Sequence, residues 1–264
     1  MENETPTSKQ SDKIMNLRKN RVKQKLAAGD IAYVVGGMTH PDDIDAFGPN
    51  GFDGIWLEGE HGSVDPYEIG NLTRACDVWG LTSVVRINKN DQGLIYRTLD
   101  RGAQGIVIPH VNTRKEAENV VEGGKFSPIG KRGMFTSRQG YGVTDYFETA
   151  NDETALIILL EDIEANVNLD EILEVNEIDV FFVAPSDFAA SMGHIGNPTH
   201  PEVQEKIDDT LTRIIKAGKT AGALATDEDV SRYVGMGVQF IFTNVGPWIS
   251  SGSANFKSIA ESAK

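Results

Sequence analysis

Two carboxylates and a histidine stand at the ends of apolar runs, where they could do chemistry together. Glu161 closes Leu156-Ile157-Ile158-Leu159-Leu160, and Asp187 lies just past Val180-Phe181-Phe182-Val183-Ala184-Pro185. Short apolar runs of this kind read as strands buried on both faces. In a (β/α)8 barrel the ends of such strands form the catalytic rim. Two carboxylates from neighbouring strands could hold one divalent cation there. A third run ends in Glu58-Gly59-Glu60-His61 and adds a candidate general base. These strand ends point to metal-dependent lyase chemistry.

The elements that must position these residues alternate regularly. Short β-branched runs near 31–36, 54–59, 82–87, 105–109, 156–161, 179–184, 220–225 and 239–244 are separated by longer amphipathic stretches. That alternation predicts α/β architecture, a (β/α)8 TIM barrel with an N-terminal capping helix. Residues 1–12 are polar and read as a disordered tail, with 13–264 forming one barrel domain. Ser11 to Ala28 has a capping Ser and apolar Ile14, Leu17, Val22 and Leu26, the pattern of an amphipathic helix that could plug the barrel bottom. The widest gap between strands is rich in glycine and contains Arg132 and Arg138, which predicts a long, partly mobile rim loop at about 124–150.

Composition narrows the function classes. A chain of 264 residues, 39% of them hydrophobic, can bury a large core without a second domain. Thirty-nine acidic against 25 basic residues give a formal charge of −14, which argues against nonspecific binding to nucleic acid or to an anionic membrane. The lone Cys76 cannot form an intrachain disulfide, and Met1-Glu2-Asn3-Glu4 lacks the features of a signal peptide. These two features lead to the expectation of a cytoplasmic location, and since no apolar run approaches the length of a membrane span, no transmembrane helix is expected.

Several words taken in order carry a resemblance. They are Phe52-Asp53-Gly54-Ile55-Trp56-Leu57-Glu58-Gly59-Glu60-His61, Val84-Val85-Arg86, Leu99-Asp100-Arg101-Gly102-Ala103, Glu161-Asp162-Ile163-Glu164-Ala165, and Ala184-Pro185-Ser186-Asp187 with Met192-Gly193 and Gly196-Asn197-Pro198. From about residue 30 to 245 the chain resembles the HpcH/HpaI family of class II pyruvate aldolases. The resemblance implies a barrel assembled as trimers or hexamers with an exchanged C-terminal helix. It also implies cleavage or formation of 4-hydroxy-2-oxo acids through a pyruvate enolate. Under it, Glu161 and Asp187 would ligate Mg2+, Mn2+ or Co2+, and Arg86 would sit against the keto oxygen. Backbone N–H groups near Ser186 and Asp187 would bind the carboxylate if a helix opens after Pro185. His61 would act on a metal-bound water or the C4 hydroxyl, with Glu58 fixing its tautomer by accepting a ring N–H. Asp100 would help to orient the base near a subunit boundary.

Plainer readings stand beside these. Glu60 could be a structural partner in its turn, and Arg86 an ordinary buried ion-pair residue. His40, His110, His194 and His200 read as structural or solvated, and Cys76 as inert on an apolar helix face. Gly130-Lys131-Arg132 lacks the following Ser or Thr and the glycine spacing of a phosphate loop. Arg132 and Arg138 either contact the far end of an anionic substrate or belong to a solvated loop. Glu58 stands where the family usually has Asp, Leu159 where a Gln is common, and Ala184 in place of Gly. The favoured activity is an aldolase using pyruvate and a short aldehyde. The alternatives are a noncatalytic 2-oxo acid or metal binding protein on the same fold, and a related coenzyme A thioester lyase.

Overall fold

Eight parallel strands pair in chain order and close on themselves: β1 (Ala32–Gly36), β2 (Gly54–Glu58), β3 (Thr82–Arg86), β4 (Gly105–Ile108), β5 (Ala155–Leu160), β6 (Val180–Val183), β7 (Ala221–Leu224) and β8 (Phe240–Asn244). The computed structural model describes residues 15–263. Every expected strand is present with bounds within one residue, because each is a run whose two faces are both covered.

Alternation along each strand separates two cores. Val34, Trp56, Val84, Val107, Ile157, Leu159, Val180, Phe182 and Phe240 fill the barrel interior. Their chain neighbours Val35, Ile55, Leu57, Val85, Ile106, Ile158, Phe181 and Val183 pack outward against the helices. Because side chains alternate with a period of two, the inner face continues from Trp56 to Glu58, from Val84 to Arg86, from Leu159 to Glu161 and from Phe182 to Ala184. The interior is therefore apolar in its middle layers and polar at its C-terminal rim. Full burial of each large apolar side chain contributes about 1.5–3 kcal/mol, so the lower layers stabilise what the upper layer presents.

The bottom of the barrel is closed by the helix Arg21–Ala27, whose Val22 and Leu26 pack into the interior core. This helix is shorter than the expected span from Ser11 to Ala28. Asn20 is fully buried; its side chain accepts the Lys23 N–H as N-cap and donates to the carbonyls of Gln104 and Glu153. Those ties fix the helix start at Arg21, and Leu17 packs instead against Phe126, Tyr146 and Ala150. The proposed tail 1–12 and Ile14 lie outside the described residues.

The segment 124–150 also departs from expectation. It joins the end of the helix Arg114–Gly124 to the start of β5, and a helix that follows a strand runs back toward the barrel's N-terminal end. The segment therefore lies on the face opposite the catalytic rim. It is fastened there by Arg132 to Asp100 at 2.7 Å and Arg138 to Asp77 at 2.6 Å, so neither arginine points into this chain's rim pocket. Lys125 is buried beneath it and donates to the carbonyls of Asn151 and Thr154.

Cys76 is buried in the helix Ile69–Val78, and burial pushes its thiol up to about 12, in keeping with an inert residue. The last helix, Val245–Ser262, buries none of its residues and exposes Ile249, Phe256 and Ile259. Among the described residues no helix is long and apolar enough to cross a membrane.

Candidate active site

A cavity of about 230 Å³ opens at the C-terminal end of the barrel, lined by the inner-face residues Trp56, Glu58, Arg86, Leu159, Phe182, Leu224 and Phe242 and by His61 and Ala184 to Asp187. Its floor is aromatic: the Trp56 ring stacks on Phe242 with centroids 4.3 Å apart and lies 5.6 Å from Phe182.

One wall is an ion-pair cluster set by strand register. Glu58 pairs directly with Arg86 across β2 and β3. Arg86 Nε donates to Glu58 Oε2 at 2.7 Å, its NH1 lies 3.0 Å from Glu60 Oε2, and Trp56 Nε1 donates to Glu58 Oε2 at 3.1 Å. The other Glu58 oxygen accepts the backbone N–H groups of Glu60 at 2.8 Å and His61 at 3.1 Å. Burial alone would raise the Glu58 pKa; the Arg86 guanidinium and these donors outweigh it and hold the carboxyl below its usual range. The turn after β2 fits only without side chains at two points. A Cβ on Gly59 would meet the Arg86 carbonyl oxygen at 2.6 Å, and one on Gly62 the Glu58 carbonyl oxygen at 2.6 Å.

This arrangement corrects the expected Glu58–His61 dyad. Both Glu58 oxygens are engaged by Arg86, Trp56 and the turn, while the His61 side chain is 68% exposed with Nε2 3.8 Å from Glu60 Oε2. Glu58 thus positions Arg86 and the backbone that carries His61, rather than the imidazole ring. Glu58→Gln is expected to lower kcat/KM about 10- to 100-fold, the value of one hydrogen bond to a charged group, while leaving the pH profile's limbs in place. A displaced limb would show that Glu58 acts on the ring after all.

Of the two expected cation ligands, Asp187 lines the cavity and Glu161 is buried close enough for the Asp187 charge to act on it. Glu161 follows β5, is 1% exposed, and accepts the His110 N–H at 2.7 Å. Burial pushes its carboxyl up to about 7; the charges of Asp187 and Glu60 push the same way, against the pull of His110. A buried carboxyl of that kind facing a second carboxylate is a donor set that a hard divalent cation would relieve, so the residues fit such an ion. Asp187 sits in the first turn of the helix Pro185–Ser191, whose N-cap is Ala184. Ala184 has no side-chain acceptor, which leaves the first N–H groups of that helix available to an anion.

His110, for which the sequence suggests only a structural or solvated role, stands at this rim. Its backbone is left-handed at φ 51°, which aims its N–H at Glu161, and its Nδ1 lies 3.0 Å from Asp162 Oδ2. Burial works against protonation of its ring, but Asp162 and Glu161 outweigh that and raise its pKa. Its place just past β4 was the available signal. Trp56, Phe182 and Phe242 were likewise legible as inner-face positions near the C-terminal ends of their strands. Asp100 is not brought to this pocket: it ends the helix Gln92–Asp100 at the barrel's N-terminal face, paired with Arg132.

Comparison with known proteins identifies the family. The chain is 35% identical over 237 residues to a hydroxypyruvate/pyruvate aldolase of Pseudomonas aeruginosa, covering 88% of each protein. It is 36% identical over 200 residues to a 4-hydroxy-2-oxo-heptane-1,7-dioate aldolase of Klebsiella pneumoniae, covering 74% of this chain and 76% of that one. The crystal structure of an HpcH/HpaI aldolase from Desulfitobacterium hafniense superposes with a TM-score of 0.83 at 26% identity, over 90% of this chain and 96% of that one. A sequence model described as HpcH/HpaI aldolase/citrate lyase matches residues 34–244. The chain therefore belongs to the HpcH/HpaI aldolase/citrate lyase family, as an enzyme of the lyase type.

Proposed function

We propose that the protein cleaves 4-hydroxy-2-oxo acids reversibly to pyruvate and a short aldehyde. The observation that supports this best is the convergence of Arg86, Asp187 and the open first turn of the helix Pro185–Ser191 on one small cavity, with Glu161 buried beside Asp187. The N–H groups of Ser186 and Asp187 bind the substrate carboxylate. Arg86, held in place by Glu58 and Glu60, donates to the 2-oxo oxygen and strengthens that bond as negative charge develops. His61, at the mouth, takes the proton of the C4 hydroxyl; the C3–C4 bond breaks, the aldehyde leaves, and protonation of the enolate at C3 yields pyruvate. Glu161 and Asp187 would hold Mg2+, Mn2+ or Co2+, which supplies Lewis-acid polarisation of the 2-oxo group when bound. Trp56, Leu159, Phe182 and Phe242 exclude water beneath the reacting carbons. A cavity of about 230 Å³ with an apolar floor suits a short-chain acid better than a coenzyme A thioester.

His61→Ala tests the assignment of the base. Aldol turnover is expected to fall about 10²- to 10⁴-fold while pyruvate affinity changes little, read by steady-state kinetics and calorimetry. Equal turnover in the two proteins would remove His61 from the mechanism.

The same reading includes a homo-oligomer, a trimer or hexamer. The helix Val245–Ser262 presents Ile249, Phe256 and Ile259 to solvent, beside an apolar groove of about 550 Å³ lined by Met38, Phe47, Val245 and Trp248. A second copy's helix is the occupant this surface fits, and Asp100 would then serve a neighbouring subunit's pocket. Light scattering should give a multiple of 28.8 kDa, and Phe256→Glu with Ile259→Glu should reduce it. A fully active monomer at micromolar concentration would refute the assembly. The single, buried thiol of Cys76 supports a cytoplasmic place of action.

A further inference from the structure

Beyond the rim pocket, the loop that follows the helix Pro185–Ser191 gathers three metal-ligating side chains. One nitrogen each of His194 and His200 and a carboxylate oxygen of Glu202 lie within 4.8 Å of one another. The two imidazoles stack face to face, centroids 3.7 Å apart and planes 18° from parallel. His194 Nε2 is 3.2 Å from Glu202 Oε2.

The backbone holds this group together before any ion arrives. His194 N–H donates to Ala189 O at 2.8 Å, Asn197 N–H to His194 O at 2.9 Å, and His200 N–H to Asn197 O at 3.1 Å. Gly193 and Gly196, both left-handed at φ 85° and 75°, supply the reversals between these bonds. The Glu202 N–H donates to His200 Nδ1 as a long 3.3 Å helix cap. That cap accounts for His200 alone; it does not require a second imidazole stacked on it or a carboxylate beside both.

We infer that His194, His200 and Glu202 form a second cation site, for a borderline divalent ion such as Zn2+ or Ni2+. Imidazole nitrogens with one carboxylate match the ligand preference of those ions, whereas Mg2+ and Ca2+ prefer oxygen ligands. One nitrogen of each ring already lies within 4.8 Å of the other and of a Glu202 carboxylate oxygen, so small side-chain rotations out of the stack would bring the three ligand atoms onto one ion. His194 is 26% exposed and Glu202 71%, so an ion can enter from solvent and keep water in its remaining positions. When filled, the site fastens the far end of the helix whose first turn carries Ser186 and Asp187, and it does not depend on the activity proposed for the rim.

Chelator-stripped protein carrying Glu161→Gln with Asp187→Asn isolates this site from the rim carboxylates. Calorimetric titration with Zn2+ should show one ion per chain, and X-ray absorption should show imidazole scattering. Adding His194→Ala or Glu202→Ala should weaken binding by at least about a hundredfold, the upper end of what loss of a mere supporting partner costs. If the rim substitutions prevent folding, the wild-type chain serves: Glu202→Ala, on an exposed first turn, should lower its Zn2+ stoichiometry by one. No Zn2+ uptake in the isolated background, or uptake undiminished by either ligand substitution, overturns the assignment.

Discussion

Glu161→Gln is expected to cut turnover by about 10²- to 10³-fold, the scale of losing one electrostatic stabiliser of a developing oxyanion, while making the metal-free protein more stable above neutral pH. The first effect follows from removing one of two carboxylates that would share a cation. The second follows from the raised carboxyl of Glu161, about 7 against an ordinary 4.5. A group whose folded pKa lies above its unfolded value binds its proton more tightly in the folded state. Stability is therefore highest below the ordinary carboxylate range and falls as pH rises toward 7. Gln stays neutral, still offers an oxygen to the His110 N–H, and escapes that loss. Urea denaturation of chelator-treated proteins should give similar stabilities near pH 4.5 and an advantage for the variant, on the order of 1–3 kcal/mol, at pH 8. Full activity of the variant at saturating Mg2+ would show that Glu161 is no ligand. A parent whose stability does not decline between pH 5 and 8 would show that its carboxyl is not desolvated as the geometry implies.

Arg86 separates charge from shape. Arg86→Met should abolish measurable turnover and destabilise the fold by about 3–5 kcal/mol, because it strands Glu58 and the nearly buried Glu60 without their shared cation. Arg86→Lys should recover most of the stability and little of the activity. An ammonium can satisfy one carboxylate, but it lacks the planar fork that reaches Glu58 through Nε and Glu60 through NH1 and still presents a donor to the pocket. Thermal denaturation and kcat, measured side by side, test both halves. If Arg86→Lys turned over at the parent's rate, Arg86 would be holding the two glutamates and not the substrate.

The barrel and the residues at its rim were legible in the sequence because both rest on local order. A run of four to six apolar residues bounded by turn residues specifies a buried strand, and a period of two within it puts Glu58, Arg86 and Glu161 on the inner face. What those residues bond to was not legible. Glu58 has several candidate donors within reach, and only the β2–β3 register, which sets it opposite Arg86 from 28 residues away, decides that the guanidinium wins over the His61 ring. Chain direction decided the fate of 124–150: after a helix the chain is at the bottom of the barrel, so a glycine- and arginine-rich gap that looked like a rim loop became a strapped floor. The start of the first helix likewise depended on Asn20 finding the carbonyls of Gln104 and Glu153, far along the chain. Periodicity reports which face a side chain takes, since that is set by its own backbone; partner choice is a competition among groups that only the closed barrel brings within hydrogen-bond distance.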